Sequence, residues 1–245
     1  MRFAVARLSR YKSVMKIGGL QPVTLLDYPQ KVAAIIFTLG CDMRCPFCYN
    51  PNLVWPDLIK KANLLPETDL FSFLKRRRKY LDGVCLTGGE PLLQPDLISF
   101  LEKIKKLGYS VKLDTNGLRP DILKKLMAGG LIDYAAMDIK GPLEQYEKFC
   151  GVKINGGEIK KSIGLIIKSG LDYEFRSTLV KGLHKKSDIV KMAKLIKGAG
   201  KYFLQNFNPQ AVLVGGKFKG ASFTQKEMAE FCRLAGKYVN MCKVR

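Results

Sequence analysis

Two rhythms of apolar residues alternate along the chain from Lys31 onward. Runs that are apolar at consecutive positions and rich in β-branched residues read as strands buried on both faces. Lys31–Leu39 (KVAAIIFTL) is one, followed by Gly83–Leu86, Tyr109–Leu113, Tyr134–Met137, Asp172–Val180 and Tyr202–Phe207. Between them apolar residues recur at helical spacing, as Leu97, Phe100, Leu101 and Ile104 do within Asp96–Leu107, which Gly108 stops. The other predicted helices are Glu67–Tyr80, Pro120–Ala128, Glu158–Ser169, Lys186–Lys197 and Thr224–Tyr238.

Six strands alternating with helices predict parallel βαβ units joined by right-handed crossovers. No internal repeat or linker divides the chain, so residues 15–245 are expected to form one domain. The expected fold class is α/β, a partial (β/α)6 barrel of parallel strands, because six units fall short of the closed eightfold ring. Residues 1–14 precede a second methionine, Met15, and are expected to be a flexible extension.

The polar and glycine-rich clusters all follow strands. Cysteines follow the first, Gly88-Gly89-Glu90 the second, Asp114-Thr115-Asn116-Gly117 the third and Asp138-Ile139-Lys140 the fourth. In parallel α/β folds the carboxyl ends of the strands share one face, where active sites form. Four clusters converging there argue for an enzyme.

Composition narrows the class. The 245 residues are 47% hydrophobic and 26% charged, which excludes a disordered chain and allows a core without disulfides. Lys+Arg 42 against Asp+Glu 21 gives a net charge of +21, which invites an anionic partner: nucleic acid, a membrane face or an acidic protein. The basic residues are scattered, however, and the one tight run, Lys75–Lys79, reads as a solvated helix face. No apolar stretch is long enough to span a bilayer, and the N-terminus lacks the apolar segment of a signal peptide. The seven cysteines do not form a disulfide framework, so a cytoplasmic protein is expected. The methionines fall at core spacing, and the single histidine, His184, is expected to be a solvated loop residue.

Cys41, Cys45 and Cys48 offer three thiolates on one loop. A structural zinc site wants four ligands, usually two distant pairs, and no second pair exists here. Three thiolates suit a 4Fe–4S cluster with one iron left open, and an open metal position goes with chemistry.

Cys41-Asp-Met-Arg-Cys45-Pro-Phe-Cys48 resembles the signature of radical S-adenosylmethionine (radical SAM) enzymes, with Phe47 at the aromatic position before the third cysteine. Leu25-Leu26-Asp27-Tyr28-Pro29, Gly88-Gly89-Glu90-Pro91 and Asp114-Thr115-Asn116-Gly117 extend the likeness to the glycyl-radical-enzyme activating branch. Within it the chain is most similar to the anaerobic ribonucleoside-triphosphate reductase activating protein family, from about Met15 to about Gln210. The resemblance implies that a cluster held by Cys41, Cys45 and Cys48 cleaves SAM reductively, and that the resulting radical takes a hydrogen atom from a glycine of a partner glycyl radical enzyme.

It further implies that Gly88 and Gly89 let backbone approach the methionyl amino group, with Glu90 as an acceptor for it. Asp114 and Thr115 match positions that bind ribose or a monovalent cation near the SAM carboxylate. Asp138 matches another such position, and Lys140 is a candidate for that carboxylate. Arg176, in an otherwise apolar strand, resembles an arginine that faces SAM. The bland alternatives are a tight turn for the glycines, helix capping or surface pairing for Asp114, Asp138 and Lys140, and a structural ion pair for Arg176. Gln205, Asn206 and Asn208 are weaker candidates, because alternation decides which point inward.

Two departures stand out. Tyr49 follows the third cysteine where histidine is common, and it can still stack or hydrogen-bond near SAM. Gln30 replaces the usual glycine of the Asp-Tyr-Pro-Gly-Lys stretch, which affects a turn. No inserted cysteine-rich module is present, so electrons are expected from an external donor such as flavodoxin or ferredoxin. Two alternatives stay open: a radical SAM enzyme acting on RNA or on a small molecule such as a deazapurine precursor, and a zinc-stabilised nucleic-acid-binding protein. The lack of an RNA-binding module or a basic-aromatic stripe tells against nucleic acid.

Overall fold

The computed structural model describes residues 15–211, 213 and 218–245. The expected extension at residues 1–14 lies outside them. The described strands form a single eight-stranded sheet in sequential order. β1 (Ile17–Thr24) runs antiparallel to β2 (Ala33–Thr38). β3 (Gly83–Gly88), β4 (Ser110–Thr115), β5 (Tyr134–Asp138), β6 (Asp172–Leu179), β7 (Lys201–Asn206) and β8 (Met241–Val244) each run parallel to the strand before.

The six strands expected from the sequence are β2 to β7, and the α/β class with its parallel barrel strands holds. β1 and β8 are additions. β1 carries Gly18, Gly19 and Pro22, which blur a strand pattern, and β8 has only four residues.

The first crossover holds two single turns, α1 (Pro51–Val54) and α2 (Pro56–Ile59), before α3 (Glu67–Arg77). α4 (Leu97–Lys106) and α5 (Pro120–Ala128) fill the next two. α6 (Tyr146–Cys150) and α7 (Gly156–Lys168) share the fourth, followed by α8 (Lys186–Leu195) and α9 (Gln225–Ala235). Their starts follow local chemistry. Pro120 opens α5, where its missing N–H is not needed. Thr224 and Glu227 close a reciprocal capping box on α9, at 3.2 and 2.7 Å. Among the described residues no helix is long and apolar enough to cross a membrane.

Alternation gives the sheet two different faces. Ile36, Leu86, Leu113 and Met137 face outward and pack with Leu101, Leu126 and Ile163 of the helices in the main core. Ala33, Ile35, Cys85, Tyr134 and Ala136 face inward and form a small second core with Tyr28. Lys112 and Glu174 lie level with this core on the inner wall, and above it the side chains are charged: Asp114, Asp138 and Arg176. Gln30, at the turn into β2, has φ 63° and is the one described non-glycine residue with positive φ. It adopts the left-handed conformation that the related glycine would take without strain.

Glu174 is 0% exposed and needs partners. It accepts two bonds from the Arg245 guanidinium, at 3.1 and 3.3 Å, and one from the Tyr134 hydroxyl at 3.0 Å. Arg245 itself lies 3.9 Å over the Phe203 ring. Replacing Arg245 by Ala leaves buried Glu174 only the Tyr134 hydroxyl and, at 4.0 Å, Arg176, and is expected to lower stability by roughly 1–2 kcal/mol. The urea midpoint would fall at unchanged m-value, and adding Glu174→Gln would restore part of the loss.

Candidate functional site

The parallel crossovers gather the carboxyl ends of the central strands on one rim. A cavity of about 380 Å³ opens there, a size suited to a nucleoside-sized ligand. Cys41, Cys45, Phe47, Cys48 and Tyr49 line it from the loop after β2, and Gly88, Gly89 and Glu90 from the end of β3. Asp114, Thr115, Asp138, Lys140 and Arg176 complete the wall from β4, β5 and β6. Every principal residue singled out in the sequence is therefore brought together.

Of the weaker candidates, Gln205 lines the cavity. Asn206 instead binds the Phe223 backbone through both ends of its amide, at 2.7 and 2.9 Å. Asn208 donates its backbone N–H to the Tyr49 hydroxyl at 2.7 Å, and the Tyr49 ring stacks on Phe207.

Backbone bonds pin the cysteine loop. Gly40 N–H donates to Leu53 O at 2.8 Å, Arg44 N–H to Cys150 O at 2.7 Å and Cys48 N–H to Cys45 O at 3.1 Å. The Arg44 guanidinium curls the loop by donating to the carbonyls of Cys41 and Met43. Sulfur atoms receive donors too: Met43 N–H reaches Cys41 Sγ at 3.3 Å and Asn50 N–H reaches Cys48 Sγ at 3.5 Å. Burial pushes the Cys41 and Cys45 thiols up to about 12, so binding iron there would release their protons.

The donor set is three thiolates, Cys41, Cys45 and Cys48, lining one cavity. In an iron–sulfur cluster each thiolate takes its own iron, and the residues present fit a cluster.

The two glycines are required by close packing against the cysteine loop itself. A Cβ on Gly88, where φ is +123°, would lie 2.3 Å from Thr38 N, and one on Gly89 would lie 2.0 Å from Gly40 O. That approach allows Gly89 N–H to reach Thr38 O at 2.9 Å and Glu90 N–H to reach Gly40 O at 2.7 Å.

Glu90, 1% exposed, straps the next loop. Its Oε1 accepts from Thr115 Oγ1 at 2.9 Å and Leu92 N–H at 3.1 Å, and its Oε2 from Asn116 N–H at 2.7 Å. Oε2 keeps a second lone pair. Burial pushes Glu90 up to about 8, against the pull of these three donors.

Charges alternate along the wall. Lys112 pairs with Asp114. Asp114 meets Arg176 at 3.1 Å, Arg176 meets Asp138 at 3.0 Å and Asp138 meets Lys140 at 3.0 Å. The strand register sets Asp138 directly beside Arg176. Burial alone would raise Asp114 and Asp138, but Arg176 with Lys112 or Lys140 outweighs it and holds both below the usual carboxylate range.

His184 is not the solvated loop residue its sequence context suggested. It is buried, with Nδ1 accepting Val180 N–H at 3.1 Å and Nε2 2.9 Å from Lys140 O. Phe149 lies 4.7 Å from its ring and Phe47 6.0 Å away. Sequence reasoning missed Lys112 and Asn116 as well. Their one signal was a position within or just after a strand whose neighbours carry the chemistry.

Known proteins resemble this chain over most of its length. The radical SAM superfamily pattern matches residues 35–196. A provisionally named glycyl-radical enzyme activating enzyme of Methanocaldococcus jannaschii is 32% identical, over 94% of this chain and 95% of its own. A GTP 3′,8-cyclase of Aquifex aeolicus is 31% identical over 71% of this chain, which spans 55% of that protein. A pyruvate formate-lyase-activating enzyme of Clostridium pasteurianum is 29% identical, over 74% of this chain and 76% of its own.

Glu90 gives a test by pH. Its folded value is raised, so the stability it contributes is complete below the ordinary glutamate range and is lost as pH rises through about 8. In the protein without SAM, unfolding free energy is expected to fall across that window. Glu90→Gln flattens this part of the profile, at a cost of about 1 kcal/mol at low pH because its amide faces the Asn116 N–H. Urea denaturation from pH 5 to 9 measures both.

Proposed function

The chain belongs to the radical SAM superfamily, and from that premise we propose that it activates a glycyl radical enzyme by taking a hydrogen atom from a glycine of that partner. Its cofactors are the 4Fe–4S cluster and SAM that the superfamily uses. Bound together they would supply reductive one-electron cleavage of the sulfonium and hydrogen-atom abstraction.

The chain's own residues divide the remaining work. Cys41, Cys45 and Cys48 would hold the cluster by their thiolates. The free lone pair on Glu90 Oε2 accepts from the methionyl ammonium, whose charge favours the ionised carboxylate. Lys140 and Arg176 face the carboxylate of SAM, while Asp114, Thr115 and Asp138 take its ribose or a monovalent cation. Phe47 and Tyr49 give apolar surface beside it and keep water out. No general base is called for, because hydrogen-atom transfer moves proton and electron together.

The observation that carries the activase reading is the likeness to the Methanocaldococcus jannaschii protein over 94% of this chain and 95% of that one. The pyruvate formate-lyase-activating enzyme adds support. The overall resemblance to anaerobic ribonucleoside-triphosphate reductase activating proteins makes anaerobic ribonucleotide reductase the partner in this reading. Of the remaining cysteines, Cys232 and Cys242 lie against each other, while Cys85 and Cys150 sit on β3 and α6; this set offers no second group of cluster ligands like Cys41, Cys45 and Cys48, which favours an external flavodoxin or ferredoxin as electron donor. Likeness to the GTP cyclase supports a second reading, a small-molecule substrate, over only part of that enzyme's length.

Anaerobic reconstitution with iron and sulfide, followed by dithionite and SAM, is expected to yield 5′-deoxyadenosine. Cys45→Ala is expected to abolish it. Mixing with an anaerobic ribonucleotide reductase is expected to give a glycyl radical doublet by electron paramagnetic resonance. SAM cleavage without that doublet, but coupled to consumption of GTP, would favour the second reading. Tight zinc with no SAM cleavage would overturn the radical reading of the site.

A further inference from the structure

Asn116 stands on the loop after β4, buried between Glu90 and the cysteine loop. Its side-chain orientation is fixed from both ends. Oδ1 accepts Leu118 N–H at 3.0 Å, so Nδ2 must face the cysteine loop. The reverse orientation would set the amide oxygen against the Asp42 carboxylate. One Nδ2 hydrogen goes to Asp42 Oδ1 at 2.7 Å. The other is left for Cys41 Sγ, 3.9 Å away. Asp42 is held from its far side by Arg119 Nε, at 3.2 Å on Oδ2. The amide is thus clamped by Leu118, Asp42 and, through its backbone N–H, Glu90.

We propose that Asn116 is a positioning residue for Cys41 and raises the reduction potential of the cluster by donating its second amide N–H to the Cys41 sulfur. The inference rests on the reading of Cys41, Cys45 and Cys48 as the cluster's ligands. A donor on a ligating sulfur takes up negative charge, and reduction adds charge, so the bond is stronger in the reduced state. Met43 N–H reaches the same sulfur from the backbone, where any residue but proline could supply it. The Asn116 amide is a contribution of this particular side chain. It also couples the loop that lines the SAM cavity to the ligand loop, since Glu90 and Cys41 lie on its two sides.

The test is a reduction titration of the full chain, reconstituted anaerobically and followed by electron paramagnetic resonance in the absence of SAM. Asn116→Ala is expected to bind the same iron and sulfide as the unaltered protein. Its reduction equilibrium is expected to shift about tenfold against the reduced form, which is ~59 mV more negative for one electron. Asp42→Ala frees the amide for sulfur alone and removes a nearby anion, so its potential is expected to rise. A merely structural Asn116 would change cluster yield and leave the potential where it was. An Asn116→Ala potential equal to that of the unaltered protein overturns the proposal. If Asn116→Ala takes up no cluster, Asp42→Ala decides, and a potential no higher than the unaltered protein's overturns it. An unaltered chain that takes up zinc and no cluster overturns the underlying ligand reading instead, so the two failures are told apart.

Discussion

Lys112, Asp114, Arg176, Asp138 and Lys140 form a line of alternating charge up the inner wall of the barrel, and the site is arranged around keeping that line paired. A charge removed from water is tolerated only where an opposite charge and hydrogen bonds meet it. Arg176 joins the line at its middle by reaching carboxylates on two neighbouring strands. Lose it, and two acids on adjacent strands face each other with only lysines at the ends. Such a line makes a poor contribution to stability compared with apolar packing. It gives instead a fixed field at the floor of the cavity, set before any ligand arrives.

This arrangement also changes how the charge of the whole chain is read. The wall holds both signs and nearly cancels, so among the described residues the cationic excess lies outside the cavity. Lys75, Arg76, Arg77, Arg78 and Lys79 at the end of α3 are exposed, where the helix dipole favours cations. The composition therefore describes the outer surface. The chemistry of the cavity has to be read from position.

Position was legible wherever a motif followed a strand. Cys41, Gly89, Asp114 and Asp138 share one rim because parallel strands end together, and that rule can be applied with no coordinates. What escaped the sequence was whatever depends on cover. Lys112 alternates with apolar neighbours like any outward-facing strand residue, and only the packing on the inner side of the sheet buries it. His184 sits in a loop rich in lysine, and Phe149 and Phe47 cover it from other elements. Asn116, followed by Gly117, reads as turn chemistry, and it does bond Leu118 as a turn would. Its second face becomes visible only when the cysteine loop is folded against it. β1 and β8 escaped because glycines and brevity hide a period of two.

The strap made by Glu90 has a consequence for how chains of this kind can vary in length. One carboxylate reads three donors at fixed spacing, Leu92 on its own loop and Thr115 and Asn116 on the next. Inserting or deleting a residue in either loop breaks that spacing and uncovers a buried acid. The two neighbouring glycines close the other side, where no Cβ fits against Thr38 or Gly40. These segments are thus closed to gradual lengthening. Novelty in what the barrel acts upon has to come from loops that carry no such strap.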